Sequence, residues 1–163
     1  MVAPDFVYGE WFMSTLVQRL AAGLGLGRLP GAVAAQLESD GRILYLAEGV
    51  LQTAIFRNYR APGVRSNFRR ISFIGYFALS QRRMVVKARC YHQININAAY
   101  DDAAFKKMTF AVRPSYLSLV FDASAQSPEA SGQVEVRVHL SDLAAAAQIL
   151  EQRGAQVTRN DGK

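Results

Sequence analysis

The sequence predicts an α+β fold that is mainly β: a curled antiparallel sheet or partly open barrel of about seven strands, capped by a C-terminal helix. Three observations carry this. From Arg42 onward, short apolar/polar alternations recur at fairly even spacing, the pattern of strands buried on one face. Only one helical stretch follows them, so strands come first and a helix last, unlike the rhythm of a parallel α/β sheet. Half of the 163 residues are hydrophobic, enough for one core in one domain. The expected division is an N-terminal helical extension over 1–40, the β domain over 41–154, and a flexible tail over 155–163.

In chain order, residues 1–8 read as a lead-in. Glu10 to about Leu24 has helical spacing: Phe12, Leu16 and Leu20 recur every four residues, flanked by Met13 and Val17 and bordered by Trp11. That face could pack on the sheet, on a second subunit or on a bilayer. Its polar side carries only Arg19, which favours protein over lipid. Gly23–Gly27 breaks the helix and reads as a flexible joint. It lacks the strand before and helix after that a phosphate-binding glycine loop needs. Pro30 suits the first turn of a second helix with Val33 and Leu37 inward, ended by Ser39-Asp40-Gly41.

The period then shortens to two. Ile43–Leu46 and Val50–Phe56 are separate predicted strands, divided at Glu48-Gly49. Asn58–Asn67 is an arginine-rich loop with a Pro62-Gly63 turn. Ile71–Arg89 is the clearest hairpin, turning at Ser80-Gln81-Arg82. Its second strand sets Met84, Val86 and Ala88 against Arg83, Val85, Lys87 and Arg89, as in a sheet wet on one side. Ile94 and Ile96 point inward in the next strand, and Asp101-Asp102 marks a loop or short helical turn. Met108, Phe110 and Val112, then Leu117, Leu119 and Phe121, then Val134, Val136 and Val138 give three further inward sets. In the closing helix Ser141 is the expected N-cap, Leu143, Ala147 and Leu150 the inner stripe, and Gly154 the stop.

Charge is segregated. From Gly49 to Tyr100 there are nine basic residues and no Asp or Glu, whereas the chain as a whole is +6. A basic face could meet phosphates on lipid, nucleic acid or another protein, or simply be solvated. Cys90 is the only cysteine, which excludes an intrachain disulfide. No apolar run is long enough to span a membrane, and no Lys or Arg precedes Arg19, unlike the basic start of a signal peptide. These features point to a cytoplasmic protein, peripheral to the membrane if lipid is its partner.

Few residues are placed for catalysis. Cys90 and His92 share a strand face, so a Cys–His nucleophile is conceivable, but no orienting acid or oxyanion feature accompanies them. His139 falls in phase with Glu135 and Arg137, as a surface histidine would. Asp101-Asp102 falls short of a calcium loop. Tyr59, Phe68, Phe73, Tyr76 and Tyr91 interleave with the basic residues, a pattern that could stack single-stranded nucleic acid, although core packing is the better reading for most. No metal site and no cofactor is implied.

The stretch Gly75-Tyr76-Phe77-Ala78-Leu79-Ser80-Gln81-Arg82-Arg83-Met84-Val85-Val86 resembles a motif of GRAM and bacterial pleckstrin-homology (PH)-like domains. In these a glycine leads into a strand ending in Leu-Thr, followed by a polar turn, an arginine and apolar residues. Leu46-Ala47-Glu48-Gly49-Val50 is similar to that family's early Glu-Gly segment. The resemblance covers Arg42 to Arg153, with Ser80 where threonine is commoner and an arginine-rich insert before Gly75. It implies seven antiparallel strands capped by a helix, and a binding scaffold, not an enzyme. Some such domains read phosphoinositides or other lipids, and others bind proteins.

The first expectation is therefore a PH/GRAM-like binding module. It would contact an anionic lipid surface or an acidic protein through Arg57, Arg60, Arg65, Arg69 and Arg70, with Arg82, Arg83, Lys87 and Arg89 adding field. The second is a protein-interaction or homo-oligomerisation module docking through Trp11, Phe12, Leu16 and Leu20. A small Cys90/His92 enzyme and a nucleic-acid binder rank behind these.

Overall fold

The computed structural model describes residues 24–25, 27–88 and 94–159. Trp11, Phe12, Leu16 and Leu20, and likewise Arg89, Cys90 and His92, lie outside the described residues. The rest forms one curled sheet of eight strands in the order β4-β3-β2-β1-β7-β6-β5-β8. The strands are β1 (Ile43–Ala61), β2 (Val64–Ser80), β3 (Arg83–Ala88), β4 (Asn95–Ala99), β5 (Thr109–Val112), β6 (Leu117–Asp122), β7 (Ser131–Val138) and β8 (Gln156–Arg159). The described helices are α1 (Gly31–Ser39), the short α2 (Ala103–Lys106) and α3 (Leu143–Gln152), with one 3-10 turn at Ala123–Ala125. Seven strands are antiparallel to their neighbours; β8 alone runs parallel, alongside β5.

The main core lines the concave side. Phe77, Leu79, Met84, Val86, Ile94, Ile96, Phe110, Leu117, Leu119, Val134, Val136 and Val138 all lie there, at the positions the alternation assigns inward. Ala146 and Leu150 of α3 complete it, so the small-residue face of that helix closes on the sheet. The predicted hairpin is present, with Gly75 opposite Ala88, Phe77 opposite Val86 and Leu79 opposite Met84.

Several elements differ from expectation. Glu48-Gly49 does not divide two strands: β1 runs through it with a break in register between Ala47 and Val50, and Gly49 takes φ 63°. This is a bulge, which a glycine accommodates. Gly27 is not a loose joint. Its carbonyl accepts from Gly49 N at 3.1 Å, and a Cβ built on it would lie 2.7 Å from the Gly75 carbonyl oxygen. Glu48 Oε1 also accepts from Leu29 N at 2.6 Å, pinning the segment that leads into α1.

The convex face near the hairpin is not wet. Leu37, with Leu29, Val33 and Ile43, covers Tyr76, Ala78 and Val85 in a second apolar cluster, so α1 belongs to the domain instead of extending from it. Pro30 sits one place earlier than predicted, as the residue before the first helical turn, and its carbonyl accepts from Val33 N and Ala34 N at 2.9 Å. Asp142, not Ser141, caps α3, its Oδ1 accepting from Ala145 N at 3.0 Å. Part of the predicted flexible tail is ordered as β8, where Thr109 to Val112 pair with Gln156 to Arg159.

Candidate functional site

The largest difference creates the candidate site. The predicted loop Asn58–Asn67 continues β1 and β2 as strand, with an irregularity at Asn58 (φ 49°), and is joined at Pro62-Gly63 with Gly63 at φ 74°. The two strands stay paired to the tip, Ala61 opposite Val64. On its other side β2 pairs with β3 only over Gly75–Leu79, while beyond β1 the strand β7 follows outward as far as Arg60, opposite Ser131. The result is a long β1–β2 arm, flanked by β7 on the β1 side up to Arg60 and without a described neighbour along the β2 side before Gly75.

The arm gathers five arginines. Arg60 lies directly opposite Arg65, Arg57 opposite Phe68, Phe56 opposite Arg69 and Ile55 opposite Arg70. Arg60, Arg65, Arg69 and Arg70 are exposed, and none makes an ion pair among the described residues. Phe68, expected among the core aromatics, is 64% exposed on β2, on the face it shares with Arg70 and away from Arg69.

Arg57 is different. Its guanidinium lies 2.9 Å from Glu135 on β7, which also accepts from Arg137 Nε at 2.7 Å and Ser118 Oγ at 3.1 Å. Glu135 is only 8% exposed. Burial pushes its pKa up, but the hydrogen bonds from Arg137, Arg57 and Ser118 outweigh this, so the carboxyl titrates below its ordinary range. Arg137 in turn lies over the Tyr116 ring at 5.0 Å, and that ring packs on His139 at 5.6 Å. His139 is therefore a half-buried packing residue, not a free surface imidazole. Arg57 anchors the foot of the arm.

The remaining predicted anion ligands lie elsewhere. Arg82 and Arg83 are at the other end of β2, about 50 Å of extended chain from Arg65. Arg83 is engaged by Asp40 after α1 and donates to Asn97 Oδ1 at 3.0 Å. Its turn is fixed by Ser80 Oγ, which accepts from Arg83 N at 3.1 Å, and by Tyr100 Oη, which donates to the Ser80 carbonyl at 2.9 Å. Arg82 is exposed there, and Lys87 is half-buried opposite Tyr76. The basic residues thus do not converge: Arg60, Arg65, Arg69 and Arg70 make one group, and Arg82 and Lys87 stand apart from it.

A cavity of about 280 Å³ opens at the foot of the arm. Phe56, Tyr59, Phe121 and Val134 give it apolar walls, and Asn95, Gln126 and Ser127 supply neutral polar groups. Phe56 and Tyr59 meet edge to face at 5.0 Å. The 3-10 turn on the cavity's rim is set by Asp122, whose Oδ1 accepts from Ser124 N at 2.9 Å. No charged side chain lines this cavity, although Arg69 stands opposite Phe56 at its edge. Nothing in the sequence flagged it, because its walls come from β1, β4, β6, β7 and the turn between β6 and β7, which only the folded sheet brings together.

No group of three or more His, Cys, Asp or Glu placed to hold a metal ion occurs among the described residues. Nor is any described helix long and apolar enough to cross a membrane. No family model, curated protein or solved structure matches the chain.

Proposed function

We propose that this chain is a binding module of PH/GRAM-like type, not an enzyme, and that it docks on an anionic lipid surface through the β1–β2 arm. The observation that carries the reading is the arm itself: four exposed arginines without ion-pair partners among the described residues, and an exposed Phe68 on the same hairpin. Arginine heads suit phosphate and carboxylate headgroups, and an exposed aromatic suits the interfacial layer beneath them. Seven antiparallel strands followed by a closing helix support the PH-like part of the reading. So does the glycine-led hairpin over Gly75–Val86, which carries the motif's turn and apolar strand.

Each basic residue near an anionic surface contributes about 1 kcal/mol. Four give about 4 kcal/mol, or roughly 10³-fold in partitioning at low salt. The test is sedimentation with phosphatidylcholine vesicles with and without phosphatidylserine. Retention on the anionic vesicles alone, lost as salt rises, is the expected result. Equal retention on both vesicle types at low salt would overturn the lipid reading.

A further inference from the structure

We propose that the outer edge of β2 accepts an extended acidic peptide as an added strand. This goes beyond docking on lipid, because it uses the backbone of the arm as well as its charges. Among the described residues, β2 is paired on one side only from Val64 to Ser72, with β1. Its other neighbour, β3, begins its pairing at Gly75, and among the described residues no strand lies beside 64–72 on that side. With Ala61 and Val64 flanking a two-residue turn, the alternation of an antiparallel ladder turns the N–H and C=O groups of Arg65, Asn67, Arg69 and Ile71 away from β1. A row of unpaired donors and acceptors is a template for strand addition.

The charges say which strand fits. Arg65, Arg69 and Arg70 are exposed along this edge, Arg60 lies opposite Arg65, and no acid occurs between Gly49 and Tyr100. A second copy of the chain added at the same edge would bring arginines against arginines, which is unfavourable. An acidic strand meets the opposite condition. Carboxylates at every second position would fall on one face, beside the guanidinium groups on that face, while the backbone completes the ladder. The exposed Phe68 offers an apolar contact.

The experiment uses the full chain and a labelled peptide of alternating Glu and Val, read by fluorescence anisotropy. Three comparisons accompany it: the same peptide N-methylated at alternate amides, a Lys/Val peptide, and the variant Asn67→Pro. This variant removes one outward N–H, keeps every arginine, and places proline on an edge, where strands tolerate it. The Glu/Val peptide is expected to bind. N-methylation and Asn67→Pro should each weaken it by about tenfold or more, and the Lys/Val peptide should not bind. Anionic-vesicle binding by Asn67→Pro should stay unchanged, which separates this inference from the lipid reading. An N-methylated peptide that binds as tightly as the unmodified one would overturn the proposal, since charge alone would then explain the contact. Failure of the Glu/Val peptide to bind, or self-association of the chain that Asn67→Pro abolishes, would overturn it as well.

Discussion

Arg57 and the Arg60/Arg65 pair stand on the same arm, yet their replacement should have opposite consequences. Arg57→Gln leaves Glu135, only 8% exposed, with Arg137 and Ser118 as its remaining partners. Losing one charge-assisted hydrogen bond to a nearly buried carboxylate costs about 1–2 kcal/mol, held to that range because Arg57 is itself 39% exposed. For a urea slope of roughly 2 kcal/mol/M, the midpoint should fall by about 0.5–1 M. The double variant Arg60→Gln/Arg65→Gln removes two like charges that face each other across the ladder. Its stability should hold or rise by a few tenths of a kcal/mol. Its anionic-vesicle binding should drop by about 2 kcal/mol, roughly 30-fold. Urea denaturation and vesicle sedimentation on the same three proteins decide the matter. If Arg57→Gln and the double variant shift both measures alike, the division of the arm into an anchoring foot and a binding tip is wrong.

At Gly75 a Cβ would lie 2.2 Å from the Lys87 carbonyl oxygen and 2.9 Å from Gln52 Nε2, which donates to the Tyr76 carbonyl at 3.1 Å. Gly75→Ala should therefore destabilise by about 3–5 kcal/mol, combining overpacking with a strained buried hydrogen bond, and chemical denaturation would read it. Leu37→Ala, at the centre of the convex cluster, should cost about 2–5 kcal/mol by the same measurement; a loss below about 0.5 kcal/mol would mean that α1 is only loosely attached. Because the fold holds the Glu135 pKa below its ordinary range, its contribution is complete above the unfolded carboxylate value and fades as pH falls through the folded one. Glu135→Gln should thus flatten the loss of stability between about pH 6 and pH 3, seen by denaturation across that range.

The parts of this fold that were legible are those where one face of a strand is buried and the other is not. Val134, Val136 and Val138 alternate with Glu135 and Arg137, and Leu117, Leu119 and Phe121 repeat the pattern, so their inward positions could be read directly. The cover of α1 over the hairpin was written less plainly. Ile74 to Leu79 is non-polar at every position, a mark of burial on both faces, but the alternating Arg83 to Arg89 beside it suggested solvent. The arm was hidden for a different reason. From Arg57 to Arg70 only Tyr59, Ala61, Val64 and Phe68 are non-polar outside the turn, too few to show a strand's apolar face, and only Pro62-Gly63 was left to read. As for the site, the basic residues could be recognised by type. Their separation into an arm group and a distant turn depends on how far β2 extends, and Glu135 as the partner of Arg57 depends on β1 pairing with β7. Both are long-range facts that local pattern does not carry.

That hidden arm is also where local chemistry and global fold disagree. Through the sheet, alternation, turn residues and packing point the same way, as they do in a chain that folds to one structure. On the arm, Arg60 faces Arg65, Arg69 adjoins Arg70, and no acid lies within the whole span to offset them. Like charges directly opposite on a ladder work against the hairpin, and the exposed Phe68 adds nothing to the core. A local rule broken without internal compensation is the expected mark of a functional position. Arg57 sharpens the contrast, since its charge is met by Glu135 and ties the arm to β7. For the arginines beyond it, no described residue supplies such compensation. An anionic surface or an acidic strand would convert their repulsion into binding energy, and the arm would then be more stable bound than free.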